Sequence, residues 1–289
     1  MDTSTRIEST LADAVLCAEA AGAPPRLAAA MRHAVFPKGG RIRPRLTLAV
    51  AAASGDDKPG LSSAAAAAIE LLHCASLVHD DLPAFDNAET RRGKPSVHRA
   101  YGEPLAVLSG DALIVLAFQT LARAAPCAPE RLGPVIGAVA DGVGVPFGIV
   151  AGQAWECEPR ADLSEYHRQK TGALFAAATI AGAAAAGFAE PELWRALGEK
   201  LGEAYQVADD LRDAVEDEAT LGKPVGVDKA LGRPSAVAQL GLAGAVARLK
   251  FLAAGAVTSI PDCPGQAMLR GLILQEAGRL LPQKLASAA

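Results

Sequence analysis

The 289-residue sequence has few aromatic residues, no paired cysteines and little excess charge. Its five cysteines are scattered and form no CxxC pair, which argues against a disulfide scaffold and a cysteine zinc site. Lysine and arginine number 28 against 32 aspartates and glutamates, so the basic excess of a nucleic-acid-binding protein is missing. The first residues also lack the basic start and apolar run of a signal peptide. We therefore expect a cytoplasmic protein without a nucleic-acid partner.

Two apolar runs in the first part of the sequence are short. The apolar run from Leu46 to Ala53 is soon closed by Asp56, and the run from Ala64 to Ala68 leads through Ile69 into Glu70. Neither approaches the roughly 20 uncharged residues that a membrane-spanning helix needs. The sequence predicts no membrane span.

Alanine is abundant, and 51% of the residues are hydrophobic. Alanine favours helix, whereas the alternating β-branched residues typical of strands are scarce, so we predict an all-α fold. No Ser/Gly-rich linker interrupts the chain, and we expect one domain over residues 1–289. Helices are predicted near residues 7–22, 25–36, 42–54, 60–81, 96–101, 104–124, 129–150, 163–187, 191–217, 231–256 and 264–283.

A first cluster of acidic residues, Asp80, Asp81 and Asp86, ends a long apolar helix. Carboxylates this close repel one another unless a cation neutralises them, and oxygen-only ligands suit Mg²⁺. Asp80 and Asp86 would not share a face of a regular helix. We expect Pro83 to end the helix and allow Asp86 to turn back toward the other two.

A second cluster, Asp209, Asp210 and Asp213, lies within a predicted helix. The spacing of four aligns Asp209 with Asp213, and Gln206 lies one turn earlier on the same side. A solvated helix end would account for either cluster alone, because carboxylates are common on helix surfaces. Two such clusters, each followed by basic residues, favour a metal site.

The basic residues accompany the clusters in four segments, Arg91–Arg92, Lys223, Lys170–Thr171 and Lys38–Pro44. Mg²⁺ beside arginine and lysine side chains suits a polyphosphate substrate, because the metal bridges oxygens and the cations neutralise the remaining charge. The sequence contains neither a P-loop nor a GxGxxG motif, which argues against a nucleotide.

In this order, the motifs DDLPAFD, RRGKPSVH, GQ at Gly152–Gln153, KTGALF, YQVADDLRD and TLGKPVGVD resemble the trans-isoprenyl diphosphate synthases, or polyprenyl synthetases. Within the family the chain is most similar to bacterial geranylgeranyl diphosphate synthases of carotenoid and photosynthetic-pigment pathways. The resemblance implies a single bundle of mostly antiparallel helices around an apolar cavity, and a homodimer.

The resemblance also implies the site. Mg²⁺, three ions per active site, would join an allylic diphosphate (dimethylallyl, geranyl or farnesyl) to the six aspartates, assisted by Arg91, Lys170 and Lys223. Isopentenyl diphosphate would be held by Arg43, His73 and Arg92. The allylic C–O bond would ionise, the alkene of isopentenyl diphosphate would attack the cation, and a proton would be lost. The Thr171 hydroxyl and the Gln206 amide suit the cation, because they offer oxygen dipoles and no strong nucleophile.

The sequence departs from the family pattern at two positions. Members commonly read GGKRLRP, but here Gly40 takes the place of the lysine. We expect Lys38 to reach the same phosphate, the alternative being weaker binding of isopentenyl diphosphate. Arg212 also stands where an apolar residue is usual.

Three residues before the first cluster are expected to set product length. In bacterial farnesyl synthases of the family the fifth residue before the motif is typically a bulky aromatic, but here it is Ala75. With Ala75 and Ser76 both small, Leu72 would form the floor of the cavity, and C20 would be the main product. The alternatives are a C15 synthase, a terpene cyclase or a regulatory synthase subunit. Intact aspartate triads and a second basic site favour elongation.

Overall fold

The computed structural model describes residues 2–36, 39–158, 168–215 and 235–282. These segments are mostly helical, in agreement with the all-α prediction, apart from one pair of two-residue strands. The helices are α1 (Thr3–Ala18), α2 (Pro25–Val35), α3 (Ile42–Ala53), α4 (Pro59–Asp80), α5 (Val97–Tyr101), α6 (Glu103–Ala124), α7 (Pro129–Val143), α8 (Ile149–Ala154), α9 (Ala173–Ala186), α10 (Arg195–Val215), α11 (Ala236–Thr258) and α12 (Gln266–Leu280).

Two local features differ from the sequence prediction. The helix expected over residues 129–150 ends at Val143, and α8 begins only at Ile149. Glycines and Pro146 lie between them, and these residues disfavour a continuous helix. A small antiparallel hairpin of β1 (Thr90–Arg91) and β2 (Lys94–Pro95) follows the first aspartate cluster, where only a loop was expected.

The chain divides into two compact units. The first comprises Met1–Val139 with Ala181–Ala189, and the second comprises Ala140–Ile180 with Glu190–Ala289. In the first unit α4 packs extensively on α6 and on α3, and in the second α10 packs on α11. The expectation of a single domain over residues 1–289 stays a prediction.

Helix α4 positions much of the first unit. It begins with Pro59 in its first turn, where a missing backbone donor costs nothing, and it ends at Asp80, ahead of Pro83. Its alanines and leucines are almost all buried, so its stability comes from packing rather than from capping. The helix therefore runs from the core of this unit to Asp80, which is half-buried at its end.

Among the described residues, three helices are long and apolar enough to cross a membrane by length and composition: Pro59–Asp80, Glu103–Cys127 and Ala236–Thr258. The apolar window of the first is 78% buried inside the protein, which accounts for its composition without a lipid environment. The corresponding fractions are 39% and 22% for the other two. The absence of a membrane span stays a prediction.

Candidate functional site

The first aspartate cluster lies on a loop that folds back on the end of α4. The backbone N–H of Asp86 donates to the carbonyl oxygen of Asp80 over 3.0 Å, and that of Ala88 donates to Asp81 over 3.1 Å. As a result, one carboxylate oxygen of Asp80 and one of Asp86 lie within 4.8 Å of each other. This is the turn expected from Pro83, and it creates a pair of oxygen ligands of the kind that Mg²⁺ uses.

Asp81 has a different environment from its neighbour. It is 2% exposed, and its carboxylate accepts hydrogen bonds from both Nε, at 3.0 Å, and Nη2 of Arg91. Burial raises the pKa of Asp81, and the Arg91 hydrogen bonds only partly oppose that shift. Asp81 therefore fixes Arg91 in place, and the guanidinium also reaches to 4.0 Å from Asp80.

A tight turn places the two consecutive arginines. Strand β1 ends at Arg91, and the turn residues Arg92 and Gly93 both have positive φ, at 52° and 75°. Two such residues are the signature of a type I′ turn, which matches the twist of a hairpin. The hairpin directs Arg91 to Asp81, whereas Arg92 lies near Glu70 of α4, 3.8 Å away.

A second, basic cluster includes His73 of α4, which lies about two turns before Asp80. Arg43 of α3 donates from Nη1 to Nε2 of His73 over 3.3 Å. Burial, followed by the positive charges of Arg43 and Arg92, holds the pKa of His73 well below its usual range, so the ring is neutral near pH 7. Arg92 Nη1 is buried and has no hydrogen-bond acceptor among the described residues. The structure thus brings Arg43, His73 and Arg92 together, and their N–H groups can donate hydrogen bonds to a bound anion.

Sequence reasoning missed the residues that hold this basic cluster. Arg41 is 7% exposed and donates to Glu70 over 2.6 Å and to Glu8 over 3.0 Å. Gly39 lies against the Arg92 side chain, because a Cβ there would lie 2.5 Å from the guanidinium carbon and would displace it. At Gly40, by contrast, a Cβ would meet only the Ile42 side chain, at 3.3 Å.

In the second unit, Asp209 and Asp213 lie one turn apart on α10, as the spacing predicts. Both are half-buried. Asp209 accepts a hydrogen bond of 2.9 Å from Arg212, the arginine that departs from the family pattern. The guanidinium therefore offsets part of the negative charge on this face.

Lys170 lies in a π-helical turn, Arg168–Gly172, that leads into α9. Its ammonium donates to Glu156 over 2.6 Å, and the other carboxylate oxygen of Glu156 accepts from the Gln153 amide over 3.2 Å. A Cβ at Gly152 would lie 2.4 Å from the backbone nitrogen of Lys170, so only glycine allows this approach. Glu156 is a residue that the sequence analysis did not identify, although it follows the GQ motif by three positions.

The next residue, Thr171, also has a defined partner. Its hydroxyl donates to Gln206 Oε1 over 3.1 Å, and Gln206 Nε2 donates to Asp210 over 3.2 Å. Asp210 is 7% exposed and also accepts the backbone N–H of Ala236, at the start of α11, over 2.7 Å. Both oxygens of Asp210 are thus engaged by protein donors.

The expected chain-length residues lie along α4. Ala75 and Leu72 are each 1% exposed, and Ser76 is half-buried with its hydroxyl donating to the carbonyl oxygen of His73. Their role stays a prediction. Lys38 and Lys223, two of the predicted phosphate ligands, lie outside the described residues.

Comparison with known proteins agrees with this geometry. The polyprenyl synthetase family model matches residues 24–254. Geranylgeranyl diphosphate synthase of Cereibacter sphaeroides is 56% identical over 282 residues, or 98% of each chain, and that of Rhodobacter capsulatus is 52% identical over 97% of each. A geranyltransferase of Helicobacter pylori, solved with magnesium and isoprenyl diphosphate, has a TM-score of 0.79 at 29% identity, with 96% of this chain and 97% of that chain covered.

The chain belongs to the polyprenyl synthetase family. The resemblance predicted from the motifs is therefore confirmed, and so is the helical fold of this family.

Proposed function

We propose that this protein is a Mg²⁺-dependent prenyltransferase that condenses isopentenyl diphosphate with allylic diphosphates, with geranylgeranyl diphosphate as its main product. The observation that carries the proposal is that helix α4 serves two sites of opposite charge. The carboxylate pair of Asp80 and Asp86 lies at its end, and the basic cluster of Arg43, His73 and Arg92 lies about two turns earlier. Two adjoining diphosphate sites are what chain elongation requires, whereas a cyclase needs one.

The acidic residues fit Mg²⁺. Asp80 and Asp86 offer converging oxygen ligands, and Asp209 and Asp213 offer a second pair on one helix face. Asp81 and Asp210 were expected to be ligands as well, but they are buried, at 2% and 7% exposure, with their oxygens held by Arg91 and by Gln206 and Ala236, whereas the other four carboxylates are half-buried. We assign the ligand role to the first four. When bound, Mg²⁺ supplies the positive charge that stabilises a departing diphosphate.

The chain's own residues bind and orient the substrates. Arg91, Lys170 and Lys223 neutralise the allylic diphosphate, and Arg43, His73 and Arg92 hold isopentenyl diphosphate. Neutral His73 accepts from Arg43 at Nε2, can donate from Nδ1 and adds no charge, which leaves the arginines to neutralise the diphosphate. The oxygens of Thr171 and Gln206 face the allylic carbon and stabilise positive charge there, because preorganised dipoles need no rearrangement during the reaction.

We further propose that the enzyme is a cytoplasmic homodimer without a membrane span, each chain forming one catalytic domain, and that it supplies a pigment pathway. The dimer proposal is supported by α6, on which Val107, Leu108 and Val115 are exposed at 41%, 52% and 56%. A second copy covering this face would remove apolar surface from water.

One incubation tests the function. Purified protein is mixed with Mg²⁺, labelled isopentenyl diphosphate and the C5, C10 or C15 allylic diphosphate, and the products are sized by chromatography. We expect C20 from each starter. A C15 end product would correct the chain length, cyclic hydrocarbons made without isopentenyl diphosphate would identify a cyclase, and the absence of any product would favour a regulatory subunit.

A further inference from the structure

The second unit contains a line of hydrogen bonds that runs from Thr171 through Gln206 and Asp210 to the backbone N–H of Ala236. It joins the π-helical turn, α10 and the N-terminus of α11. The sequence analysis grouped Asp210 with the metal ligands, yet consecutive residues of a helix project about 100° apart. The side chain of Asp210 therefore projects in a different direction from that of Asp209, and both of its oxygens accept hydrogen bonds from the protein.

We propose that Asp210 is a positioning residue, which fixes the direction of these hydrogen bonds and thereby keeps the Thr171 oxygen available to the electron-poor allylic carbon. This inference rests on the proposed function. Asp210 acts through Gln206 and Thr171 and does not touch the substrate.

The direction follows from what each group can donate. An ionised carboxylate only accepts hydrogen bonds, so Gln206 must present its NH₂ group to Asp210. Its carbonyl oxygen then faces Thr171, whose single hydroxyl proton is used in that bond. The lone pairs of the Thr171 oxygen remain for the site, and the positive end of the Thr171 O–H dipole points at Gln206 and away from a developing cation.

Burial and the fixed backbone partner make this arrangement rigid. Asp210 is 7% exposed, and the N–H of Ala236 occupies one oxygen at 2.7 Å. That N–H belongs to the first turn of α11, where four such donors lack partners within the helix. Rotation of Asp210 would break this part-buried hydrogen bond to the start of α11, which opposes the movement.

Asp210→Asn tests the inference because it preserves shape and reverses the direction of the bonds. The new side chain must turn its oxygen to Ala236, so its NH₂ faces Gln206. The Gln206 amide then flips and donates to Thr171, whose hydroxyl proton is released toward the site. We expect kcat to fall about 100-fold, because this is the scale of losing one preorganised dipole in a transition state. The KM values for both diphosphates and the Mg²⁺ concentration for half-maximal rate should change less than about twofold.

Two further variants separate positioning from metal binding. Asp209→Asn should raise the Mg²⁺ concentration for half-maximal rate. The double variant Asp210→Asn with Gln206→Glu keeps the net charge. It also restores the original direction of the hydrogen bonds, because the introduced carboxylate at position 206 would accept from both Thr171 and the new asparagine. We expect it to recover at least about tenfold of the lost kcat. Since this pattern depends on polarity, a loss of packing alone would not produce it.

The inference is overturned if Asp210→Asn keeps the wild-type kcat, if it raises the Mg²⁺ requirement as Asp209→Asn does, or if the double variant recovers nothing. Should Asp210→Asn fail to fold by circular dichroism, Thr171→Val leaves the α11 contact intact and must lose kcat at an unchanged Mg²⁺ requirement, with Thr171→Ser losing less. An inactive wild-type protein would contradict the proposed function itself, whereas these variants are compared with an active wild type.

Discussion

The ion pair between Glu156 and Lys170 makes a specific kinetic prediction. Glu156 accepts from Lys170 at 2.6 Å and from Gln153 at 3.2 Å, so its carboxylate holds the Lys170 ammonium in a defined position. Glu156→Gln keeps the size of the side chain and removes its charge. We expect the ammonium to lose its fixed position and the allylic diphosphate to bind and react less well.

The size of the effect follows from the burial of the pair. The side chains are 19% and 21% exposed, so the interaction is stronger than that of a surface pair but still screened by water. A hydrogen bond between charged groups contributes about 1.5–3 kcal/mol, and screening reduces this to roughly 1–2 kcal/mol. That corresponds to a fall in kcat/KM for the allylic substrate of roughly 5- to 30-fold.

The assay varies the allylic diphosphate at saturating isopentenyl diphosphate, for the wild type, Glu156→Gln, Lys170→Ala and the double variant. Because Glu156 acts through Lys170, the double variant should be no slower than Lys170→Ala alone. Glu192→Gln, which breaks an exposed pair with Arg195 of 2.8 Å, is the matched control and should change nothing. Additive losses from Glu156→Gln and Lys170→Ala, or an unaffected Glu156→Gln, would refute the reasoning.

Three further predictions concern the first unit. Asp80→Ala should leave the circular dichroism unchanged and reduce turnover below a tenth of wild type, a barrier increase of more than roughly 1.4 kcal/mol, because it removes a metal ligand at a helix end and no core contact. Ala75→Tyr should shift the product to C15, and Leu72→Ala should permit some C25, as sized by chromatography. An Ala75→Tyr variant that still makes C20 would contradict the prediction that these residues form the floor of the product cavity. Gly40→Lys, whose Cβ would meet the Ile42 side chain at 3.3 Å, should lower the KM for isopentenyl diphosphate, and Lys38→Ala should raise it. Unchanged KM values in both variants would leave Arg43, His73 and Arg92 as the whole site.

Local patterns allowed the ends of the key helices to be predicted. The apolar run of α4, followed by Asp80 and Pro83, predicts both where the helix ends and that Asp86 turns back, since each depends on neighbours a few residues away. The spacing of Asp209 and Asp213 likewise places them on one helix face without any knowledge of the tertiary fold.

Partners distant in the sequence could not be predicted. Arg41 pairs with Glu70, 29 residues away, and Glu156 pairs with Lys170, 14 residues away. No periodicity connects such residues, because their proximity arises from packing. The hairpin was missed for another reason, as strands of two residues are too short to show alternation, although a glycine after Arg92 is a turn signal.

The paired aspartates show how one helix property divides a motif into two roles. Adjacent residues near a helix end point about 100° apart, so two consecutive carboxylates cannot both converge on one ion from a regular helix. In the first unit Asp80 approaches Asp86 while Asp81 is buried against Arg91. In the second, Asp210 is buried against Gln206 and the start of α11. We therefore propose that the second aspartate of each pair orients the groups around the site, and we expect its replacement by asparagine to affect their positioning before it affects the affinity for Mg²⁺.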